Sequence, residues 1–425
     1  MVGVGGSIGT GLLLGSGAAV RIAGPAVILS FAAAALITWT VTMALGEMAS
    51  LHPSAGSFGT YAELYLNPWA GFISRYGYWL AIAIAIGGEL VASATYMHYW
   101  FPGVHAIVWI VLFAAGLLAI NLRTVGDYGR FEFWFAMIKL VTIAAFIVLG
   151  AALLLTRRTP PQYSAAGGFF PNGQSAPLLA MSFSLFTFAG IEMVAISSGE
   201  SRSRQEIPRA VRLTFGILTL VYMGAIVVLV GVMPWNGAGV AESPFVTVLR
   251  HVGLPAASHV MNFVVLSAAL SGANASLYVD SRTLFSLARG GYAPAGLGKL
   301  TAAGVPLRAL VASSFGIIVA VVMEKWAPQD AFVYLLGAAL FGAMLAWLVA
   351  LAAHVSFRAR LTPAGLAALP MRSPGGTTAS ILGFIAIVAS LAATWWYSRV
   401  TVLSGVVYIV GLSAAYLLAR TQRNR

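Results

Sequence analysis

The chain is a series of long apolar stretches, separated by short segments that contain Gly, Pro or charged residues. A helix that crosses a bilayer needs about 20 consecutive apolar residues, and twelve stretches approach that length. They lie at 1–20, 26–47, 69–98, 104–121, 132–155, 178–198, 210–233, 258–286, 307–323, 330–353, 378–397 and 401–419. The pattern predicts an all-α, polytopic membrane protein of 12 transmembrane helices, and the whole chain, 1–425, forms a single membrane domain in this interpretation.

The composition supports this interpretation and excludes several other classes of protein. Only 8% of the 425 residues are charged and 60% are hydrophobic, whereas about a quarter of the residues of a soluble domain are charged. A soluble enzyme is therefore excluded, and so is a disordered chain, which needs more charge and fewer aromatic residues. The sequence contains no cysteine, which excludes disulfide bonds, thiolate metal sites and cysteine catalysis.

The positive charges are distributed unequally between the predicted loops. If the twelve stretches cross the membrane in turn, 17 of the 24 Lys and Arg residues fall in one set of loops and 6 in the alternate set. Lys and Arg collect on the cytoplasmic side, so we expect a protein of the inner (plasma) membrane with both termini in the cytoplasm. The net charge of +12 then indicates the lipid bilayer, rather than nucleic acid, as the partner of these residues.

Three charged side chains stand out inside predicted spans, where a charge is costly and usually marks a coupled site or a pathway. They are Glu89 in span 3, Lys139 in span 5 and Glu192 in span 6. A lysine removed from water gives up its proton more readily, so Lys139 is a candidate proton-coupling group; the alternative is a structural lysine that is permanently paired. Glu89 and Glu192 each either face a cavity or hydrogen-bond a neighbouring helix.

Other polar groups give weaker signals. The sequence contains no HExxH pair, Ser-His-Asp order, phosphate-binding loop or dinucleotide fingerprint, so we expect no enzymatic activity, no cofactor and no metal. At the inner end of span 6, Glu200 is either part of a gate or a solvated charge. At the inner end of span 8, we expect Asp280 and Arg282 to orient the helix.

Span 1 begins with four glycines in seven residues, GGSIGTG at 5–11. Gly costs about 1 kcal/mol per helical position relative to Ala, and unpaired backbone groups in hydrocarbon cost more. The run therefore predicts a break in the helix whose free N–H and C=O groups face a polar cavity. The alternative is a seam of small residues that packs closely against another helix.

A second interruption is predicted five spans later, where span 6 reads FTFAGIE at 186–192. Interrupted helices at matching places in two halves indicate a transporter site at the interface of inverted repeats. We therefore expect a five-plus-five inverted repeat with broken helices 1 and 6. Residues 1–155 form the first repeat and 178–353 the second, and 378–419 supply two additional spans.

The two breaks also suggest the chemistry of a ligand. The half-helix that begins after Gly9-Thr10-Gly11 presents free N–H groups and the positive end of its dipole, which suit a carboxylate. The carbonyl groups exposed before each break suit a cation such as an α-ammonium group. An amino acid carries both groups on one carbon and is therefore the expected substrate.

Eight segments of the chain carry a resemblance to a known family. They read GGSIGTGLLLGSG at 5–17, ALGEMA at 44–49, AGSFGTYAELYLNPWAGF at 55–72, FEFWFAMIKLVTI at 131–143, GGFFPNG at 167–173, AGIEMVAISSGES at 189–201, IPRAV at 207–211 and MNFVVLSAALSGANASLY at 261–278. With these motifs in this order, the sequence resembles the amino acid transporter family of the amino acid–polyamine–organocation superfamily. The general pattern is most similar to its bacterial permeases for proline, aromatic amino acids and γ-aminobutyrate.

The resemblance implies proton-coupled uptake of amino acids by alternating access. It implies that the substrate carboxylate binds at the glycines of span 1 and the ammonium group at the main chain of span 6, and that Phe186 or Phe188 closes the site. It places Lys139 where sodium binds in sodium-coupled relatives. The predicted substrate-binding residues are Ser7, Ile8, Gly9, Thr10, Gly11, Phe186, Phe188, Ala189, Gly190, Glu192 and Glu89, with Lys139 for proton coupling and Glu200 as a gate.

Several alternatives stay open on the sequence. An amino acid exchanger uses the same scaffold but needs internal counter-substrate instead of protons, and a membrane-embedded amino acid sensor binds without transport. Sodium coupling through Ser267, Ser271 and Asn274 is also open, although Lys139 nearby would repel the cation. Because only four residues precede Gly5, we expect span 1 to stop short of the cytoplasmic face and an upstream-extended chain to transport better.

Overall fold

The computed structural model describes residues 7–52, 57–122, 128–165, 167–192, 206–302 and 304–423. Within these ranges the protein is helical and has no β-strand, as the pattern of apolar stretches predicts. The α-helices are α1 Ser16–Ala23, α2 Val27–Leu51, α3 Ser57–Tyr65, α4 Pro68–His98, α5 Ala106–Asn121, α6 Tyr128–Leu155, α7 Ala176–Leu179, α8 Met181–Phe188, α9 Glu206–Val232, α10 Pro244–His251, α11 Pro255–Arg289, α12 Leu307–Ser313, α13 Phe315–Trp326, α14 Ala331–Ala359, α15 Pro363–Ala367, α16 Gly376–Tyr397 and α17 Arg399–Arg423. A π-helical turn, Gly11–Gly15, directly precedes α1.

The long helices make this chain a multi-pass membrane protein. In the described part of the chain, 9 helical segments are long and apolar enough to cross a membrane, and Ala106–Asn121 is a shorter apolar helix. The segment Gly11–Leu51 counts as one of these nine, although Gly24, with φ 59°, separates α1 from α2 within it. The total of 12 crossings stays a prediction.

Burial separates the helices at the centre of the bundle from those at its outer surface. The most apolar window of α4 is 72% buried and that of α14 is 67% buried, whereas that of α17 is 17% buried. Helix α4 packs along both α11 and α14, so these three helices form the interior. Helix α17 instead exposes aliphatic side chains such as Leu403 and Val407, as expected of a surface that faces lipid.

Helix α4 begins where its sequence specifies a helix start. The Asn67 side chain accepts a hydrogen bond from the Ala70 N–H at 2.9 Å, and Pro68 occupies the first turn, where a missing N–H costs no helical hydrogen bond. The helix then continues to His98. At 31 residues, it is one of the longest described helices.

A group of buried polar residues, the Glu47 cluster, joins three helices near their ends. Glu47 is fully buried, and the guanidinium group of Arg358 donates to its two oxygens at 2.7 and 3.3 Å. The Ser373 N–H donates to the same carboxylate, and His354 lies 3.4 Å from it while sharing a 2.8 Å hydrogen bond with Ser380. Because a buried charge needs such partners, the cluster ties the end of α2 to α14 and to α16.

Candidate functional site

The predicted break in span 1 lies at Ile8 and Gly9. These two residues depart from helical geometry, and the helix resumes at Thr10 and continues into the π-helical turn. An interruption of this kind leaves backbone N–H and C=O groups without their usual intrahelical partners. The first six residues of the chain, which include the other two glycines of the run, lie outside the described residues.

Hydroxyl groups from three other segments bind the carbonyl groups around this break. The hydroxyls of Tyr222, Thr187 and Ser243 donate to the carbonyls of Ser7, Gly11 and Leu13 at 2.6, 3.1 and 2.7 Å, respectively. Every backbone group within the membrane needs a partner, so these contacts make the break tolerable there. The sequence did not reveal them, because a single hydroxyl in an apolar helix gives no signal of which group it faces.

Helix α8 ends at the point where span 6 is predicted to break. Ala189 is extended, with ψ 143°, and Gly190 has φ 98°, a conformation that glycine adopts without steric cost. The Gly190 N–H donates to the carboxylate of Glu192 at 3.0 Å. Glu192 therefore satisfies a backbone group that the end of the helix sets free.

The interruption in span 1 and the end of α8 lie side by side. A Cβ atom on Gly11 would come within 3.1 Å of both the Thr187 Cα atom and the Phe186 ring, so glycine permits the close approach that the Thr187–Gly11 hydrogen bond requires. The fold thus brings together the two segments that the sequence assigned to the carboxylate and the ammonium group of a substrate.

The two phenylalanines considered for closing the site differ in their surroundings. Phe188 is fully buried, with ring centroids 6.5 Å from Phe31 and 5.1 Å from Tyr222. Phe186 is only partly buried and lies against Gly11. Of the two, Phe186 has accessible surface with which to cover a bound molecule, and Phe188 packs in the core.

Glu89 of α4 reaches the start of the resumed helix in span 1. Its Oε1 atom accepts a hydrogen bond from the Thr10 N–H at 3.4 Å, and its Oε2 atom has no hydrogen-bond partner among the described residues. Cβ atoms on Gly9 and Gly272 would lie 2.9 and 3.5 Å from this carboxylate, so both glycines leave the space that it fills. The N–H group that the sequence assigned to a substrate carboxylate thus faces the protein's own carboxylate.

Glu192 is connected to the same helix, α4. Its side chain is 1% exposed, and the Tyr78 hydroxyl donates to its Oε1 atom at 3.0 Å. Of the two alternatives stated for Glu192, this conformation shows the hydrogen bond to a neighbouring helix. Tyr78 was missed by the sequence analysis, because tyrosine is common in membrane helices and its partner lies 114 residues away along the chain.

Lys139 lies on α6, and its side chain reaches α11. It is 1% exposed, and its Nζ atom donates to the Ser271 hydroxyl at 3.4 Å; it is also within electrostatic range of Glu89. Asn274, another residue considered for sodium, accepts a hydrogen bond from Asn121 at 2.8 Å. The Ser267 hydroxyl donates to the Val264 carbonyl at 2.8 Å, so all three side chains considered for sodium are engaged. No cluster of acidic, His or Cys residues suited to a metal occurs in the described ranges.

The predicted gate residue, Glu200, lies outside the described residues. Its role as one half of an inner gate, and the length of the first half-helix before Ser7, stay predictions. The remaining predicted site residues are described, and those of the two breaks lie around one small region with Glu89 and Glu192 at its edge.

Comparison with known proteins shows the family to which the chain belongs. The family model for amino acid permeases matches residues 1–420. The chain belongs to the amino acid permease family. A γ-aminobutyric acid permease of Bacillus subtilis is 37% identical over 92% of this chain and 86% of the relative, and the aromatic amino acid transport protein AroP of Escherichia coli (strain K12) is 35% identical over 84% and 80%. Membership of this family supports amino acid transport by the chain.

The fold has a counterpart among solved structures. A manganese transporter of Eremococcus coleocola superposes with a TM-score of 0.61 over 98% of this chain and 91% of that chain, at 14% sequence identity. At that identity the likeness shows the fold alone. The resemblance to the amino acid transporter family is confirmed.

Proposed function

We propose that this permease imports amino acids by proton symport, with alternating access to a site between the two breaks. The observation that carries the proposal is the contact between span 1 and α8 at Gly11 and Thr187, beside buried charged side chains. Free N–H groups at a helix start suit a carboxylate, and exposed carbonyls suit an ammonium group. The relatives named for γ-aminobutyric acid and aromatic amino acids support this class of substrate.

Glu89 supplies a link between substrate binding and a proton. A substrate carboxylate that binds the Thr10 N–H has to replace the Oε1 atom of Glu89, which now accepts that hydrogen bond. Two carboxylates at one site repel each other, and the repulsion is removed when one of them takes up a proton. Lys139 lies within electrostatic range of Glu89 and can carry the opposite charge, so we expect the two side chains to act together when the proton binds.

We also propose that residues 1–155 and 178–353 are inverted repeats, with 378–419 outside them. In such scaffolds the broken helices line the site, and alternating access is largely a rigid-body movement of one bundle against the other. The position of the breaks supports this arrangement, because each lies in the first span of its repeat. Both termini then lie in the cytoplasm, on the side to which substrate and protons are delivered.

The variant Lys139→Ala tests the coupling. Wild-type protein in proteoliposomes is expected to accumulate a labelled amino acid when the interior is made alkaline, and competition by the other amino acids and γ-aminobutyrate identifies the substrate. Lys139→Ala is expected to abolish accumulation, because the buried cation that sets the protonation of Glu89 is gone. Lys299→Ala, which removes an exposed lysine, is the matched control and should accumulate normally.

Two outcomes would contradict the proposal. If Lys139→Ala concentrated substrate as well as the wild type, the assignment of the coupling group would be wrong. The second outcome is that empty vesicles take up no label, whereas vesicles preloaded with amino acid take it up at any pH gradient. The permease would then be an exchanger.

A further inference from the structure

Asp280 is a buried carboxyl group for which the proposed mechanism has no role. It lies on α11 with 0% exposure, and neither of its oxygens has a hydrogen-bond partner among the described residues. Within the described ranges it forms no ion pair with Lys, Arg or His, and the neighbouring Arg282 stacks on the Tyr278 ring at 3.3 Å instead. The expectation that Asp280 orients its helix requires a charge at the water boundary, and its burial disagrees with that role.

Groups from three other helices surround Asp280, and none of them is positively charged. Tyr78 of α4 and Tyr408 of α17 interact with it electrostatically, and Ser313 of α12 lies beside it. The Ser313 hydroxyl accepts a hydrogen bond from Trp79 at 3.0 Å, so its own proton is available to donate. In the described part of the chain, the groups that face Asp280 are therefore neutral hydroxyls.

Such surroundings favour the neutral form of a carboxyl group. An ionised carboxylate that is removed from water without a cation is so unfavourable that the group normally takes up a proton instead. A protonated carboxyl group costs less to bury there, because it carries no charge that needs a cation. The described conformation therefore selects an Asp280 that carries a proton.

The position of Asp280 connects it with the substrate site. It lies eight residues after Gly272, which borders that site, and eight residues of α-helix span about 12 Å. The direction is toward Arg289, the end of α11 that the distribution of positive charge assigns to the cytoplasm. Tyr78, which interacts with Asp280, donates a hydrogen bond to Glu192 at 3.0 Å, so one tyrosine joins Asp280 to the break in span 6.

We propose that Asp280 is a second proton-binding site of the transport cycle, on the cytoplasmic side of the substrate site. It holds a proton in the described conformation and releases it to water when this side of the molecule opens, because water stabilises the carboxylate. The step breaks only the carboxyl O–H bond and delivers the proton to the cytoplasm. The proposal rests on the proposed proton symport and adds a residue to it.

The aspartate content of the chain allows a direct measurement. The sequence has three aspartates, Asp127, Asp280 and Asp330, and Asp330 is exposed. Protein in lipid is grown with isotope-labelled aspartate, and the shifted infrared band of a protonated carboxyl group is recorded at neutral pH. We expect the band in the wild type and in Asp127→Asn, and its loss in Asp280→Asn. Its absence from the wild type, or its persistence in Asp280→Asn, would overturn the proposal without reference to transport.

Transport by Asp280→Asn tests the link to the cycle. Counterflow exchange, which needs no net proton movement, should stay near the wild-type rate. Accumulation driven by a pH gradient should fall about 5- to 150-fold, the range of a typical coupling between two ligands. Glu324→Gln, which removes another buried carboxyl group on the neighbouring α13, should retain both activities. Undiminished accumulation by Asp280→Asn would overturn the link.

A variant that retains the carboxyl group covers the case in which Asp280→Asn shows no flux of either kind. Asp280→Glu should then restore accumulation driven by the pH gradient, and failure to do so would overturn the role in transport. If the wild type itself shows exchange but no proton-driven accumulation, the proposed symport fails. The infrared band of the wild type still decides whether Asp280 holds a proton.

Discussion

Three glycines at the two breaks serve three different purposes. Gly9 leaves room for the Glu89 carboxylate, Gly11 allows span 6 to approach, and Gly190 adopts φ 98°. The sequence predicted the breaks because glycine is costly in a helix wherever it appears. It did not distinguish the three purposes, because each depends on which atoms face the glycine, and those atoms belong to distant segments.

Substitution of Gly11 by alanine tests the close approach of the two breaks. In Gly11→Ala, the new Cβ atom would lie 3.1 Å from the Thr187 Cα atom, so the two segments must separate. We expect strongly reduced transport and a stability loss of about 1–3 kcal/mol from overpacking. Counterflow rates in proteoliposomes and thermal unfolding measure the two effects.

Gly116→Ala is the control for this substitution. Gly116 lies in α5 with nothing within 4 Å of its Cβ position, so alanine there should leave transport unchanged and slightly stabilise the helix. Equal transport by Gly11→Ala and Gly116→Ala would show that the two breaks need not touch.

Helix α4 supplies two side chains that contact the site, one for each of its two segments. It carries both Tyr78, which binds Glu192, and Glu89, which binds the Thr10 N–H. The sequence predicted this helix and indicated Glu89 as a candidate site residue, because a charge in an apolar stretch can be recognised without a structure. The pairing of each side chain with a different break was not predictable, because it depends on how α4 is rotated against its neighbours.

The Glu47 cluster provides a prediction about how helices are held together. Arg358→Met removes the arginine and leaves the buried Glu47 carboxylate with only Ser373 and His354 beside it, which should cost about 3–5 kcal/mol of stability. The double variant Glu47→Gln, Arg358→Met should be more stable than Arg358→Met alone, because no buried charge is left. Thermal unfolding in detergent measures the difference.

An exposed arginine serves as the control for the Glu47 cluster. Arg372 is exposed and donates to the Ala367 carbonyl, so Arg372→Met should change the unfolding temperature little. If Arg372→Met and Arg358→Met destabilised equally, the buried ion pair would have no special role.

For the whole molecule, orientation in the membrane is open to a clean test. The sequence contains no cysteine, so a single introduced thiol is the only one available for labelling. Lys325 and Arg372 are both exposed, and α14 lies between them. We expect a membrane-impermeant maleimide added to intact cells to label Lys325→Cys, and to label Arg372→Cys only after the cells are opened.

Each of these variants is the control for the other. Labelling of both from outside would mean that α14 does not cross the membrane, whereas the reverse pattern would place the termini outside the cell. Either result would contradict the orientation derived from the Lys and Arg distribution.

The sequence by itself determined the membrane class, most helix positions, the two breaks and the buried charged residues. These are properties of short segments, because hydrophobicity and the cost of glycine act on a helix before it packs. Only the tertiary structure decided that Glu89 accepts a hydrogen bond from the Thr10 N–H, that Tyr78 donates one to Glu192, and that neutral hydroxyl groups face Asp280. Such pairs lie far apart along the chain, and their contact depends on the packing and rotation of whole helices, which no local pattern specifies.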